Sequence, residues 1–310
     1  VTVDGNPVAI DAGFEFLSEA MFPTYNRLLK LLNVPLHRYA MTITQYDTRT
    51  RDVHLLPPFH GLRIFPEALT PRKICDLLRF RRVIAAARDI MERQDTSVTT
   101  EQFLDSVPMP ERFKYGFMYP FFQASWGVSL DEIKTFMIYD VARYAYLNLP
   151  SGLAPRDWTE IVGGTQTYVN ALRAALTTTR VKTGTPIAAV RRVDDGYTIE
   201  AENGQTETYD HVVLATNANQ AAAAIADIPE AQAICRLLNQ ITYFETRIAI
   251  HGDTRLMPPQ RKHWSTVNLR FDGTFSQMTI WKAWKSKNPV FRSWITHDDR
   301  QPDPLYALAK

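Results

Sequence analysis

Side chains able to move protons are thinly spread in this sequence. His251 and Asp253 are one residue apart, so on a strand they face the same side. Such a pair either works as acid and base at the edge of a pocket or closes a strand end with a hydrogen bond. Tyr115, Phe117, Tyr119, Phe121, Phe122 and Trp126 either wall an apolar channel or, at helical spacing, fill a core. Trp264, Trp281, Trp284 and Trp294 offer indoles for stacking or for packing. His37, His54, His60 and His297 have no ligand spacing, and there is no His-Glu-x-x-His run, so no metal is expected.

A strand end gives a sharper signal. Residues 211–215 are apolar enough for a strand buried on both faces, as in a parallel sheet. Open α/β folds bind ligands beyond the carboxyl ends of such strands, which places Ala215, Thr216 and Asn217 beside a dinucleotide. Their small side chains admit close backbone approach.

The elements that must position these residues follow from pattern. Asp194-Asp195-Gly196 and Glu202-Asn203-Gly204 are turn sequences joining β-branched runs into a three-stranded antiparallel unit. Ahead of it, Gly163-Gly164 leads into a helix over 167–176. Asp4-Gly5-Asn6 forms a hairpin turn at the start, an odd free terminus, so further chain is expected before Val1. A short helix covers 25–32, and runs at 41–46, 52–56 and 62–65 read as a small antiparallel sheet. Helical periodicity dominates 66–148, with helices over 71–91, 100–107, 111–123 and 130–145. A helix over 218–226 and strands over 242–251, 263–271 and 277–284 follow, and the chain then ends in loop-like Gln301-Pro302-Asp303-Pro304 without closing a recognisable element.

Composition excludes several classes. Hydrophobic residues make up 45% and charged residues 22%, which is ordinary for a globular protein. A net charge of +2 provides no field for a polyanion, so nucleic acid is not expected as a partner. The basic run Arg79, Arg81, Arg82 and Arg88 reads as a solvated face or an unspecific anionic contact. Cys75 and Cys235 lie far apart and suit a reducing cytoplasm. Neither an apolar span of about 18 residues nor a secretory leader is visible.

The order of motifs adds a family resemblance. Trp158-Thr-Glu-Ile-Val-Gly-Gly-Thr-Gln-Thr-Tyr-Val-Asn-Ala-Leu172 is followed by Thr185-Pro-Ile-Ala-Ala-Val-Arg-Arg192, Asp195-Gly-Tyr-Thr-Ile-Glu200 and Tyr209-Asp-His-Val-Val-Leu-Ala-Thr216. This succession resembles the flavin-containing amine oxidase superfamily. Phe117-Met-Tyr-Pro-Phe-Phe-Gln-Ala-Ser-Trp126, Leu256-Met-Pro258 and His263-Trp264 are similar to its branch of predicted NAD/FAD-binding oxidoreductases, so the likeness covers nearly the whole chain.

The resemblance implies an α/β fold: an incomplete FAD/NAD(P)-binding Rossmann-like domain (1–38 and 151–228) with an inserted α+β substrate domain (39–150 and 229–310). It implies FAD as cofactor, with Ile187 meeting its adenine end and Ala215, Thr216 and Asn217 lining it. Val8 to Phe16 resembles the strand that leads toward the isoalloxazine, which makes Gly13, Phe14 and Glu15 candidates to approach the flavin. Arg247 falls where many amine oxidases place a lysine that holds water at the flavin; the match is one of strand alignment only, and an ordinary surface or ion-pair arginine is the preferred reading. With flavin as hydride acceptor, no nucleophile or triad is required.

The chain departs from the family pattern in two respects. It has no G-x-G, so the fingerprint that seats a pyrophosphate on a helix N-terminus is absent, as is the family's terminal glycine- and acid-containing motif. The expected function is FAD-dependent hydride removal from an amine or from an apolar lipid-like small molecule. The alternative is a non-catalytic fragment or degenerate copy that packs or binds a partner.

Overall fold

The computed structural model describes residues 1–13, 16–60, 63–148, 157–298 and 300–309. They form two compact units, Val1–Ala175 with Glu245–Lys310, and Leu176–Phe244.

The larger unit is organised by a seven-stranded sheet. Its order is Leu305–Ala309, Ile248–His251, Phe291–Trp294, Ser276–Trp281, Val267–Phe271, Ile43–Asp47 and Val53–Leu56. All neighbours are antiparallel except Ile43–Asp47 and Val267–Phe271, which run parallel in the register Ile43↔Val267 to Asp47↔Phe271. The runs near 41–56 therefore join a large mixed sheet instead of forming the small separate one expected. Parallel pairing needs a distant partner strand, which local pattern does not reveal. Gln301 to Pro304 is loop as expected, but strands that the pattern did not announce stand on either side, Phe291–Trp294 and Leu305–Ala309; Pro302 and Pro304 hide the second by standing just ahead of it.

Helices cover one face of this sheet. Pro71 opens Pro71–Ala86, and reciprocal capping boxes open Thr100–Ser106 (Thr99 with Gln102) and Leu130–Thr135 (Ser129 with Glu132). The expected helix over 111–123 runs as Glu111–Phe113, a π-helical turn over Lys114–Met118 and Tyr119–Trp126, ending at Gly127 with φ 69°. Phe117, Met118, Phe121 and Phe122 pack with Leu269, Met278 and Ile280 in the main core, whereas Tyr115 and Trp126 are exposed.

A second, two-stranded sheet pairs Leu36–Ala40 with Asp157–Ile161, and Leu17 bridges to Thr159 beside it. Buried Glu160 ties this sheet to the segment after Ser276–Trp281. Its carboxylate accepts from Lys282 Nζ at 2.7 Å and from Trp284 Nε1 at 2.6 Å, with Lys285 Nζ at 3.2 Å.

The smaller unit holds the three-stranded antiparallel meander of the sequence reading, Ile187–Val193, Gly196–Ala201 and Thr206–Tyr209. Ala218–Ala224 and Gln232–Leu238 supply Ala222 and Cys235 to a core shared with Val190. The expected buried strand at 211–215 is a correction. These residues form no regular element and pair with no strand among those described, and Val213 is 89% exposed. An apolar run becomes a strand only where a neighbour offers its backbone donors and acceptors.

Candidate functional site

The Gly163-Gly164 turn links the strand Asp157–Ile161 to the helix Gln166–Ala175. Both glycines are left-handed, at φ 83° and 88°, a region costly for other residues. A Cβ on Gly164 would also stand 3.3 Å from Asp11 Oδ1. Asp11 is the reason for that tightness: its Oδ1 accepts from the Thr165 N–H at 2.9 Å and from the Thr165 hydroxyl at 2.5 Å. A glycine turn opening a helix resembles a phosphate cradle. Here a carboxylate already takes the donors, and it would repel a phosphate.

The two residues after Asp11 are held from the other side. Arg292, buried on the strand Phe291–Trp294, donates through one guanidinium nitrogen to the carbonyls of Ala12 and Gly13 at 2.6 and 2.9 Å. Its guanidinium lies 4.2 Å over the ring of Trp294. Segment 11–13 is thus pinned between the Gly-Gly turn and the large sheet. Gly13 has nothing within 4 Å of where a Cβ would stand, so this stretch presents open backbone. Phe14 and Glu15 lie outside the described residues.

Beyond this segment an apolar hollow of about 30 Å³ lies between Phe16, Met41, Ile43, Phe121, Trp158 and Leu269, with no charged residue in its lining. Trp158 meets Phe16 edge to face at 4.5 Å. Its buried Nε1 has no hydrogen-bond partner among the described residues, the usual mark of a donor reserved for something else.

Within the larger unit, Arg247 and His251 do not line this hollow. Arg247, half-buried, stands just before Ile248–His251, its N–H bonded to Thr296 Oγ1 at 3.0 Å and its carbonyl to the Ile295 N–H at 2.8 Å. His251 is fully buried: Nδ1 accepts from the Asp253 N–H at 3.0 Å, which leaves Nε2 protonated to donate to Ser293 Oγ at 2.8 Å. Burial lowers its pKa to about 4 against the pull of the Asp253 charge. The Asp253 carboxylate itself turns to Arg255, accepting from its backbone N–H at 2.9 Å, from Nε at 2.9 and 3.0 Å and from Nη2 at 2.5 Å.

In the smaller unit, Ile187 begins its strand, half exposed and opposite Ala201. Ala215, Thr216 and Asn217 are exposed, and Asn217 stands at the N-cap of Ala218–Ala224. Among the described residues no group of three or more His, Cys, Asp or Glu can hold a metal ion.

The chain matches the model of the flavin containing amine oxidoreductases over residues 2–251. It belongs to that family. The fold agrees: the structure matches a putrescine oxidase variant with a TM-score of 0.65 at 13% identity, covering 95% of this chain and 65% of that one. Cyclohexylamine oxidase from Brevibacterium oxydans IH-35A matches at 0.62 and 13%, covering 94% and 66%. The CLA-producing fatty acid isomerase from P. acnes matches at 0.56 and 9%, covering 97% and 69%. The chain thus spans 65% of the putrescine oxidase structure's length. No curated protein matches it significantly. Among the described residues no helix is long and apolar enough to cross a membrane.

The exposed backbone at Gly13 leaves room for a group such as a flavin beside it, whereas the Gly163-Gly164 turn does not serve as a pyrophosphate seat. Sequence reasoning missed Arg292. Its one signal was a charged residue alternating with apolar ones in Val290-Phe291-Arg292-Ser293-Trp294, an inward position that demands buried acceptors.

Proposed function

We propose that the chain is part of an FAD-dependent oxidoreductase in which a hydride passes from an amine or an apolar lipid-like substrate to the flavin. Residues 1–38 and 151–228 would contribute to the flavin-binding portion, and 39–150 and 229–310 to the substrate-binding portion. The carrying observation is the pinned segment Asp11–Gly13, fixed by Thr165 on one side and Arg292 on the other, ahead of a hollow walled by Phe16 and Trp158.

Gly13, with Phe14 and Glu15, would approach the flavin, and Ile187, Ala215, Thr216 and Asn217 would hold its remainder. FAD, when bound, supplies a two-electron acceptor. The chain's own contribution is placement. Arg292 fixes the backbone of residues 12 and 13, so the reacting face does not reorganise at each turnover. Phe16, Met41 and Leu269 exclude water. Trp158 Nε1 donates to a substrate lone pair and orients it. At about 30 Å³ the hollow holds no more than a water or two, so a substrate would meet only its apolar mouth, where no carboxylate of the lining pairs an ammonium and an amine is favoured uncharged. Putrescine oxidase and cyclohexylamine oxidase carry amines in their names and the isomerase a fatty acid, and the apolar walls suit either substrate class.

The test is a visible absorption spectrum of protein purified from the whole open reading frame with added FAD, before and after anaerobic addition of candidate amines and unsaturated lipids. A retained flavin band that bleaches with one substrate class supports the reading. If no flavin is retained at any FAD concentration, the alternative of a non-catalytic packing or interaction module takes its place.

A further inference from the structure

We propose that a second cavity of the larger unit, at the far end of the strand Ile43–Asp47, binds a small molecule with an apolar body and one anionic head. The cavity measures about 290 Å³ and is lined by both Asp47 and Phe271, the last residues of the two parallel strands. Ile43, at the other end of the strand, lines the apolar hollow. Four residues of extended chain separate the ends by about 13 Å, so the two sites are distinct.

The wall and the rim differ in chemistry. Phe113, Tyr115, Phe117, Leu130 and Phe271 make the wall. Three of these belong to the stretch carrying the π-helical turn over Lys114–Met118, whose Gly116 also lines the space. Such turns are frequent at functional sites. The polar side, or rim, carries the guanidinium groups of Arg49, Arg72 and Arg112, each paired with a more buried carboxylate, Asp47, Asp52 or Asp76.

The rim carries a surplus of donors. Asp47 pairs with Arg49, Asp52 with Arg72 and Lys73, and Asp76 with Arg79 and Arg112. In the lining three carboxylates thus meet three guanidinium groups, each with more N–H donors than its partner takes, while Lys73 and Arg79 reach Asp52 and Asp76 from outside it. Arg49, Arg72 and Arg112 are 55%, 58% and 43% exposed, so each keeps N–H groups toward the opening. Asp76 stays ionised: burial raises its pKa, but the neighbouring His54, Arg112 and Arg79 hold it well below the usual carboxylate range.

Two further polar atoms at the cavity lack partners. Tyr119 lines the space and is only 1% exposed; its hydroxyl has no hydrogen-bond partner among the described residues, and burial, with the nearby Tyr115, Glu101, Asp105 and Glu111, keeps it protonated as a donor. His54 Nε2 is also buried without a bond; Asp76 Oδ2 lies 3.7 Å away, beyond hydrogen-bonding distance. An aromatic wall, surplus guanidinium donors and an unsatisfied hydroxyl together recognise a carboxylate or phosphate carried on an apolar group.

The test is calorimetric titration of the chain with 4-phenylbutyrate, 4-phenylbutanol and phenyl phosphate, which needs no flavin and so stands apart from the oxidoreductase reading. Saturable binding of 4-phenylbutyrate or phenyl phosphate is expected, at least about tenfold tighter than that of the alcohol, the equivalent of one charge-assisted bond. Added salt should weaken it. Whichever oxyanion binds identifies the head group. Arg112→Gln should weaken binding by about tenfold or more. Because Arg112 also supports Asp76, Tyr119→Phe is the companion variant; it removes only the hydroxyl and should cost severalfold in affinity with the thermal midpoint retained. Equal binding of alcohol and acid, no saturable binding of any of the three, or unchanged affinity in a folded Tyr119→Phe protein would overturn the proposal.

Discussion

The two compact units treat charge and apolar runs in opposite ways. In the larger one, Glu160 and Asp76 are 5% and 1% exposed, Glu160 held by the distant Lys282 and Lys285, and Asp76 by Arg112 from 36 residues away together with its helix neighbour Arg79. In Leu176–Phe244 the ion pairs lie at the surface, as with Arg191 to Glu200 and Asp227, or Arg192 to Glu230. The same contrast separates Val267–Phe271, a central strand with partners on both sides, from 211–215, a comparably apolar run with none described. Long-range partners, more than local sequence, decide which polar groups and which runs are buried.

The largest effect should come from breaking the Glu160 tie. Burial raises the Glu160 pKa, but bonds from Lys282 and Trp284 outweigh it and keep the group ionised. Glu160→Gln leaves Lys282 and Lys285 without their counter-charge in a buried site, with an expected loss of about 3–5 kcal/mol by urea denaturation. Arg191→Gln in the smaller unit should leave the midpoint unchanged. Equal losses for the two variants would break the comparison.

Apolar burial offers a second probe. Leu269, 1% exposed in the middle of its strand, should lose about 2–5 kcal/mol on Leu269→Ala, measured in the same denaturation experiment. Asp11→Ala follows at about 1.5–3 kcal/mol, since it strands the amide and hydroxyl of Thr165 without their charged acceptor. Hydrogen exchange at the Thr165 amide should accelerate with it; unchanged exchange would mean that the Gly-Gly turn holds without Asp11.

His251 sharpens the comparison through pH. Its folded pKa, about 4, lies below the unfolded value of about 6.5, so between them the unfolded chain binds the extra proton. Stability is therefore full above about pH 6.5 and falls as the pH drops toward 4. Between pH 7 and 5 the loss from this residue is on the order of 2 kcal/mol. His251→Gln should flatten that part of the profile; an unaltered slope would show that the imidazole is not buried neutral.

Much of the scaffold was legible because its causes are local. Thr99 with Gln102 and Ser129 with Glu132 announce their helices through capping chemistry, and Asp195-Gly196 and Asn203-Gly204 announce the meander through turns. The π-helical turn at Lys114–Met118 left no such sign. The site was only half legible. Gly13 and the Gly163-Gly164 turn were named from motif order, but their link runs through Asp11 and Thr165, which are 154 residues apart, and through Arg292, about 280 residues from Ala12. No pattern within a window of neighbours encodes such contacts. His251 was legible as a residue and not as an environment, since the spacing to Asp253 does not say that Ser293 will meet the other ring nitrogen.

The smallest effect tests the exposed run itself. Val213 is 89% exposed, and 211–215 makes no ladder among the described residues, so Val213→Asp removes no packing and strands no hydrogen bond. Surface substitutions away from such features stay within about 0.5 kcal/mol, and denaturation of the chain alone should show no more than that. In a central strand the same change would place a carboxylate between two apolar layers, at several times that cost. A loss above about 1 kcal/mol would therefore mean that 211–215 is paired and covered in solution, and the contrast with Val267–Phe271 would disappear.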